Sequence, residues 1–430
     1  MSHLPGRLNL FQSTMLDWRD QHPYSAVHAL RIPAALDRDA LVGAIDAELA
    51  RAGLTGLELD RERRRYAWHG GPARTSLEVI EAGADWNTPL AREIERLMNL
   101  PFERSGRIDP FRFFALTTGG EFFLGLGYDH FIAGGDSIVA LLNAIVARYR
   151  GHPRDGSPPM RYPRTHWRLF ARHPLHFVRA ITRMPAMAKS CRRTVRPRYQ
   201  SIAEGHNAFA LFSLDSADFT ALLAATKRWR VTVNDALLAL LLLAQAQRAP
   251  DRLRATRRRE LAVASIVNLR EAHGSAAQGA FGQFLSSFRL SHPVPEGVAL
   301  ATLASDVHRE TARIKRERLY LATLLAMRID RVIGRFQTPR QRAGTYAKTY
   351  PVGAGTSTLN VNALWQRTGD DPVPLYIRGV PTGPLAPLVV AATTSGDTMH
   401  AGVSWRTTAL SREDIDTMWN DIVERIRTVQ

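Results

Sequence analysis

One cysteine, Cys191, stands in 430 residues. It excludes an internal disulfide and any cysteine-based metal cluster, and it suits a reducing compartment. Lys189, Arg192 and Arg193 beside it predict a lowered thiol pKa. Acidic residues are scarce: 40 Asp and Glu face 57 Lys and Arg, which leaves a net charge of +17. That balance points to an anionic partner, whether nucleic acid, a membrane surface or an acidic protein. Long apolar runs are missing too. Ala236–Ala246 falls short of the ~20 residues that cross a bilayer and reads as a buried helix. Met1–Gly6 has no apolar core after a basic start, so no signal peptide and a cytoplasmic location are expected. No Gly-x-Ser-x-Gly elbow is present, and Gly353-Ala354-Gly355-Thr356 lacks the lysine of a phosphate loop. His166, His173 and His176 have no acidic neighbours, so no metal site is expected.

The basic charge is concentrated. Eleven Lys or Arg and no acid lie between Arg161 and Arg198. Trp167, Leu169, Phe170, Leu175, Phe177, Val178, Ile181 and Met184 are interleaved there with arginines. Pro174 and Pro185 are expected to break the stretch into short amphipathic helices. One reading lays residues 167–198 on an anionic membrane, at its inner face; the other packs the apolar side on the protein. Nucleic acid also suits the charge, but no recognition module accompanies it, and no nucleic-acid partner is expected.

Strand and helix patterns alternate irregularly. Phe111–Thr118, Gly119-Gly120 and Glu121–Gly127 read as a hairpin, and Ser137–Tyr149 as a helix. Gly151–Pro159 marks a linker start. Ala210–Leu214 and Leu261–Val267 read as strands and Val298–Met327 as a long helical region. Ser216–Trp229 reads as a helix capped by Ser216, and Asn234 or Asp235 as the cap of the apolar helix after it. Leu388–Thr394, Ser395-Gly396-Asp397 and Met399–Arg406 read as a second hairpin, and Ser411 opens a last helix. The pattern predicts α+β or open-sheet α/β with mixed sheets.

Between the first hairpin and its helix runs Tyr128-Asp129-His130-Phe131-Ile132-Ala133-Gly134-Gly135-Asp136-Ser137. A histidine at a strand end, followed by a loop of small residues, is a way to hold an imidazole still. The stretch resembles the His-His-x-x-x-Asp-Gly motif of the chloramphenicol-acetyltransferase-like superfamily, which includes condensation domains and wax-ester synthases. His130 falls on the second His, the family's general base. Gly135 falls on the closing Gly, and Ser137 on a Ser common in condensation domains. Two positions depart: Asp129 replaces the first His, and Gly134 replaces the Asp that pairs with an arginine. Further segments are similar in order along the chain. They are Leu30-Arg31-Ile32-Pro33, Leu100-Pro101-Phe102-Glu103, Val231-Thr232-Val233-Asn234-Asp235, Val267-Asn268-Leu269-Arg270, Gly282-Gln283-Phe284 and Thr356-Ser357-Thr358-Leu359-Asn360-Val361.

The resemblance implies two similar lobes, residues 1–159 and 208–430, joined by a basic crossover segment, 160–207. Together they form a V-shaped pseudo-dimer around a central tunnel. It implies acyl transfer from a phosphopantetheine-linked thioester, on an acidic carrier protein or coenzyme A, to an alcohol or amine. His130 would be the base, with no covalent intermediate and no bound cofactor. Ser357, Thr358 or the Gly135 N–H would stabilise the oxyanion, Asp129 would orient His130, and Asn360 would fix the crossover strand. Arg270 is the candidate loop anchor, with Asp136 the expected substitute for the carboxylate missing at Gly134. A non-catalytic module that only recruits a partner is the alternative class.

Overall fold

The computed structural model describes residues 4–156, 159–162, 167–334, 336–367 and 372–429. His166 and part of the Gly151–Pro159 linker lie outside them.

The first hairpin forms as its pattern predicts, from strands Phe111–Thr118 and Glu121–Asp129 in register Thr118 with Glu121. Its turn needs two left-handed residues. Gly119 and Gly120 supply them, at φ 51° and 92°. The hairpin extends a five-stranded sheet of order Tyr376–Gly379, Ser25–Ile32, Glu121–Asp129, Phe111–Thr118, Leu77–Glu81. The central strands are largely apolar because both faces are covered there, whereas the edge strand Leu77–Glu81 leaves Glu78, Val79 and Glu81 exposed. Leu30, Leu124, Leu126 and Tyr128 share a core with Ile138, Leu142 and Ile145 of the helix Gly135–Tyr149. Val27, Ala29, Phe114, Leu116 and Phe123 pack with Leu90, Ile94, Leu97 and Met98 of the helix Asn87–Asn99.

The second half builds a mixed sheet of order Leu285–His292, Leu261–Asn268, Ala354–Thr356, Leu388–Ser395, Thr398–Arg406, Asn207–Leu214, with Leu359–Asn360 beside Leu388–Ser395. Its last three strands repeat the plan of the first sheet. An opening strand pairs antiparallel with the second strand of a hairpin, Asn207–Leu214 here and Ser25–Ile32 there. A crossover strand, Tyr376–Gly379, leaves this half and pairs with Ser25–Ile32 of the first sheet, Arg378 opposite His28. It also presses on the second hairpin. A Cβ at Gly402 would lie 1.9 Å from the Arg378 carbonyl oxygen, so only glycine permits that approach.

The helices start and stop for local reasons, some of which differ from the reading above. The helix Ser216–Trp229 is capped by Asp215, not Ser216. The apolar helix Val233–Arg248 is capped by Thr232, and Asp235 returns its side chain to close the capping box. The region Val298–Met327 is two helices, Leu300–Arg316 and Tyr320–Gly334, broken where Arg318 takes φ 54°. Pro185 does not break the basic segment: Pro174–Arg193 is one helix with Pro185 inside. Pro185 lies on the exposed side of the helix, where the carbonyl that loses its partner is cheapest to free. Cys191, on the inner side of that helix, is buried, and burial raises its thiol pKa despite Arg289. Among the described residues no single helix is long and apolar enough to cross a membrane.

Candidate active site

His130 follows the last residue of its strand. The strand end is fixed by the Asp129 N–H donating to the Pro110 carbonyl (3.1 Å). The second half of the chain then holds the loop. Gln283 Nε2 donates to the carbonyls of His130 (2.9 Å) and Ala133 (3.2 Å), and the Gly134 N–H donates to the Gly282 carbonyl (3.1 Å). Ser137 Oγ donates to the Gly282 carbonyl and accepts from the Gly282 N–H, both at 3.1 Å.

A carboxylate–guanidinium clamp completes the attachment. Asp136 pairs with Arg270 and accepts from Asn268 Nδ2 (3.0 Å). Arg270 also donates to Ser137 Oγ (2.6 Å) and to the Ala277 carbonyl (2.7 Å). A Cβ at Gly134 would sit 3.0 Å from Asp136 Oδ1. The Asp136 carboxylate therefore already occupies the space a side chain at 134 would enter. The glycine at 134 and the substitute aspartate at 136 fit one another.

The imidazole itself is nearly enclosed, with His130 9% exposed. Tyr24 stacks on it (5.7 Å between centroids, 29°) and Tyr128 meets it edge-on (5.8 Å, 89°). Among the described residues Nδ1 is buried without a hydrogen-bond partner. Burial lowers the pKa to about 4; the nearby Ala133 carbonyl opposes that shift and the charge of Arg378 adds to it. The ring is therefore neutral at pH 7, with one ring nitrogen unprotonated. Asp129 does not orient it. Its carboxylate, also buried, bonds to Arg19, and burial raises its pKa to about 6 against that pairing.

His28 and Arg378, neighbours across the crossover pairing, lie beside this ring. His28 Nδ1 bonds to the Tyr376 hydroxyl (2.8 Å), and burial, then Arg378, then His130 hold its pKa well below the usual range. Arg378 is 3% exposed. Its Nε donates to Thr393 Oγ1 (2.9 Å), Nη1 to Ser357 Oγ (3.1 Å), and Nη2 to the carbonyls of Ser357 and Ala392. Burial lowers its pKa to about 10, so it stays charged at neutral pH.

No family model matches the sequence, and no curated protein matches it either. Solved structures do. The first condensation domain of the CDA synthetase superposes with a TM-score of 0.69 at 15% identity, over 99% of this chain and 96% of that one. The condensation domain of the Monacolin K polyketide synthase MokA gives 0.70 at 11%, over 100% and 97%. SgcC5 from Streptomyces globisporus gives 0.63 at 14%, over 98% of each. The chain has the condensation-domain fold.

In this condensation-domain fold, the expected site residues separate into two groups. His130, Gly134, Gly135, Asp136, Ser137 and Arg270 gather at one junction between the two halves. Ser357 reaches the same region through Arg378. Thr358 and Asn360 are exposed, and Asn360 serves its strand by pairing with Thr394. Thr356 faces away, bonding to Asn234 and Ser265. Among the described residues no group of three or more His, Cys, Asp or Glu is placed to hold a metal. A cavity of about 800 Å³ opens between Arg74, Arg96 and Phe111. Its lining holds no histidine, so it is separate from the chemistry of His130. Sequence reading missed Arg378, His28, Tyr24 and the role of Gln283. The available signal was a lone charge in a short apolar strand, Tyr376-Ile377-Arg378-Gly379.

Proposed function

We propose that this condensation-type chain transfers an acyl group from a phosphopantetheine-linked thioester, on a carrier protein or coenzyme A, to an alcohol or amine. The observation that carries the reading is a buried, neutral His130 held by Gln283 and by the Asp136–Arg270 clamp. His130 takes the proton of the nucleophile as its oxygen or nitrogen bonds to the thioester carbon. The carbonyl electrons move to oxygen. They return as the carbon–sulfur bond breaks, and the thiolate takes the proton back from His130. The strongly basic surface favours anionic donors and raises their association rate.

Contact with an anionic membrane belongs to the same proposal. Leu175, Val178 and Ile181 of the helix Pro174–Arg193 are 72%, 55% and 44% exposed beside exposed Arg172, Arg179 and Arg183. That is the composition of an interfacial helix.

Intact-mass detection of acyl transfer tests the enzyme reading. Acyl-loaded carrier proteins and acyl-coenzyme A are offered with a pool of alcohols and amines. Transfer by the wild type that vanishes in His130→Ala supports it. Transfer that survives the substitution overturns it. Tight carrier binding without any transfer supports the recruiting module, which the departures at Asp129 and Gly134 favour.

A further inference from the structure

A buried charge is costly unless a counter-charge or several hydrogen bonds offset it. Among the described residues Arg378 has the hydrogen bonds but no counter-charge. Its recorded partners are two hydroxyls and two carbonyls, all neutral. The nearby carboxylates are committed elsewhere, Asp129 to Arg19 and Asp136 to Arg270. His28 and His130 are both held neutral. The interior beside His130 therefore carries a net positive charge.

The geometry directs that charge. A guanidinium has five N–H donors, and four of those on Arg378 are used. The fifth is on Nη1. Nη1 would lie 3.7 Å from a Cβ built at Gly135, and that Cβ would lie 3.5 Å from His28 Cε1. Nη1 thus faces the start of the helix Gly135–Tyr149, which no side chain caps. Ser357 Oγ accepts from Nη1, which leaves its own hydroxyl proton available to donate. Ser357 is only partly buried, so that proton is within reach of a ligand.

We propose that Arg378 is a catalytic residue of this site: with the Ser357 hydroxyl it orients, it takes the negative charge that develops on the carbonyl oxygen during transfer. The proposal rests on the acyl-transfer reading. It names the group that stabilises the oxyanion where His130 moves the proton.

Two measurements on the full chain test it. In the first, kcat and KM of transfer are compared for wild type, Arg378→Met, Arg378→Lys and Ser357→Ala. Arg378→Met is expected to lose about 100- to 1,000-fold in kcat with KM changed only a few-fold, in line with removal of one oxyanion donor. Arg378→Lys is expected to recover part of the loss, and Ser357→Ala to lose about tenfold to 100-fold. A folded Arg378→Met protein with wild-type kcat overturns the proposal. So does a Lys variant as impaired as the Met variant. If Arg378→Met does not fold, the Lys and Ser357→Ala variants decide.

The second measurement needs no substrate. The His130 resonance of histidine-labelled protein is titrated by NMR, with His130→Gln for assignment. The groups around that ring are Tyr24, Tyr128, His28 and Arg378, with Asp129 and Asp136 already paired. Removing the cation is expected to raise the His130 pKa, and an unchanged titration in folded Arg378→Met overturns the proposal. If no transfer is found with the wild type, the acyl-transfer reading fails while this titration still reports whether the Arg378 charge acts at His130.

Discussion

The two hairpins, Phe111–Asp129 and Leu388–Arg406, each feed a helix after five residues, 130–134 and 407–411. The second connection is braced by the segment before its own sheet, where the Gln200 N–H donates to the Thr408 carbonyl (2.8 Å). Arg406 is buried, donates to the carbonyls of Ile202 and Glu204, and lies over the Tyr199 ring. Its helix starts with a full capping box, Ser411 with Asp414. The first connection lacks such a cap. Gly134 precedes its helix with no side-chain cap, and its loop carbonyls are bonded by Gln283 from the other half of the chain. Both corners are held by distant segments, but the same local plan gives a side-chain-capped helix start in one half and an uncapped one in the other. The uncapped corner is where the buried histidine sits. A unit that must borrow its hydrogen bonds from a distant segment can place its side chain at a junction between the two.

Substitutions at matched positions break this comparison. The largest effect is expected at the first residue of each connection. His130→Ala should cost about 100- to 10,000-fold in transfer. The exposed Thr407→Ala should change neither transfer nor stability measurably. Next come the carboxylates of the two helix starts. Asp136→Ala leaves the mostly buried Arg270 unpaired and should cost about 3 kcal/mol by urea unfolding, with at least tenfold lower transfer. Asp414→Ala opens a cap and removes a partly exposed ion pair with Arg248, and should cost about 1 kcal/mol with transfer unchanged.

Acid should also weaken the fold. Burial holds His130 and His400 at about 4 and His22 at about 3, with His28 also well below 6.5. Because the unfolded chain binds protons first, the stability these groups contribute is complete above pH 6.5 and is lost as pH falls toward 4. Urea midpoints between pH 8 and pH 4 should fall in that window. A flat profile there would contradict the neutral burial of these rings. The smallest effect is expected on the outer face of the basic helix. Val178→Asp should weaken sedimentation with anionic phosphatidylglycerol vesicles several-fold while leaving the melting temperature unchanged. Equal binding by both proteins would exclude this face as the contact.

What was legible in the sequence follows from range. The first hairpin was readable because alternation and a Gly-Gly turn are local, and so was the helix after it. Asp136 was readable as a substitute because Gly134 lies two residues away. Arg378 and His28 were not, because they meet only through the crossover pairing, 350 positions apart in sequence. Some local signals also misled. The basic neighbours of Cys191 suggested an activated thiol, yet the helix turns the sulfur inward, where burial dominates. Arg318 in left-handed geometry has no signature in its side chain, so one helical region became two.

The crossover strand has a consequence for synthesis. Ser25–Ile32 has hydrogen-bonding partners on both sides only once Tyr376–Gly379 has been made, some 350 residues later. At about 5–20 residues per second, that edge waits roughly 20–70 s on the ribosome. Through that interval an apolar strand with one open edge is available to other nascent chains. The demand of this chain on chaperones is therefore set by the distance between two strands along it as well as by the stability of the finished fold.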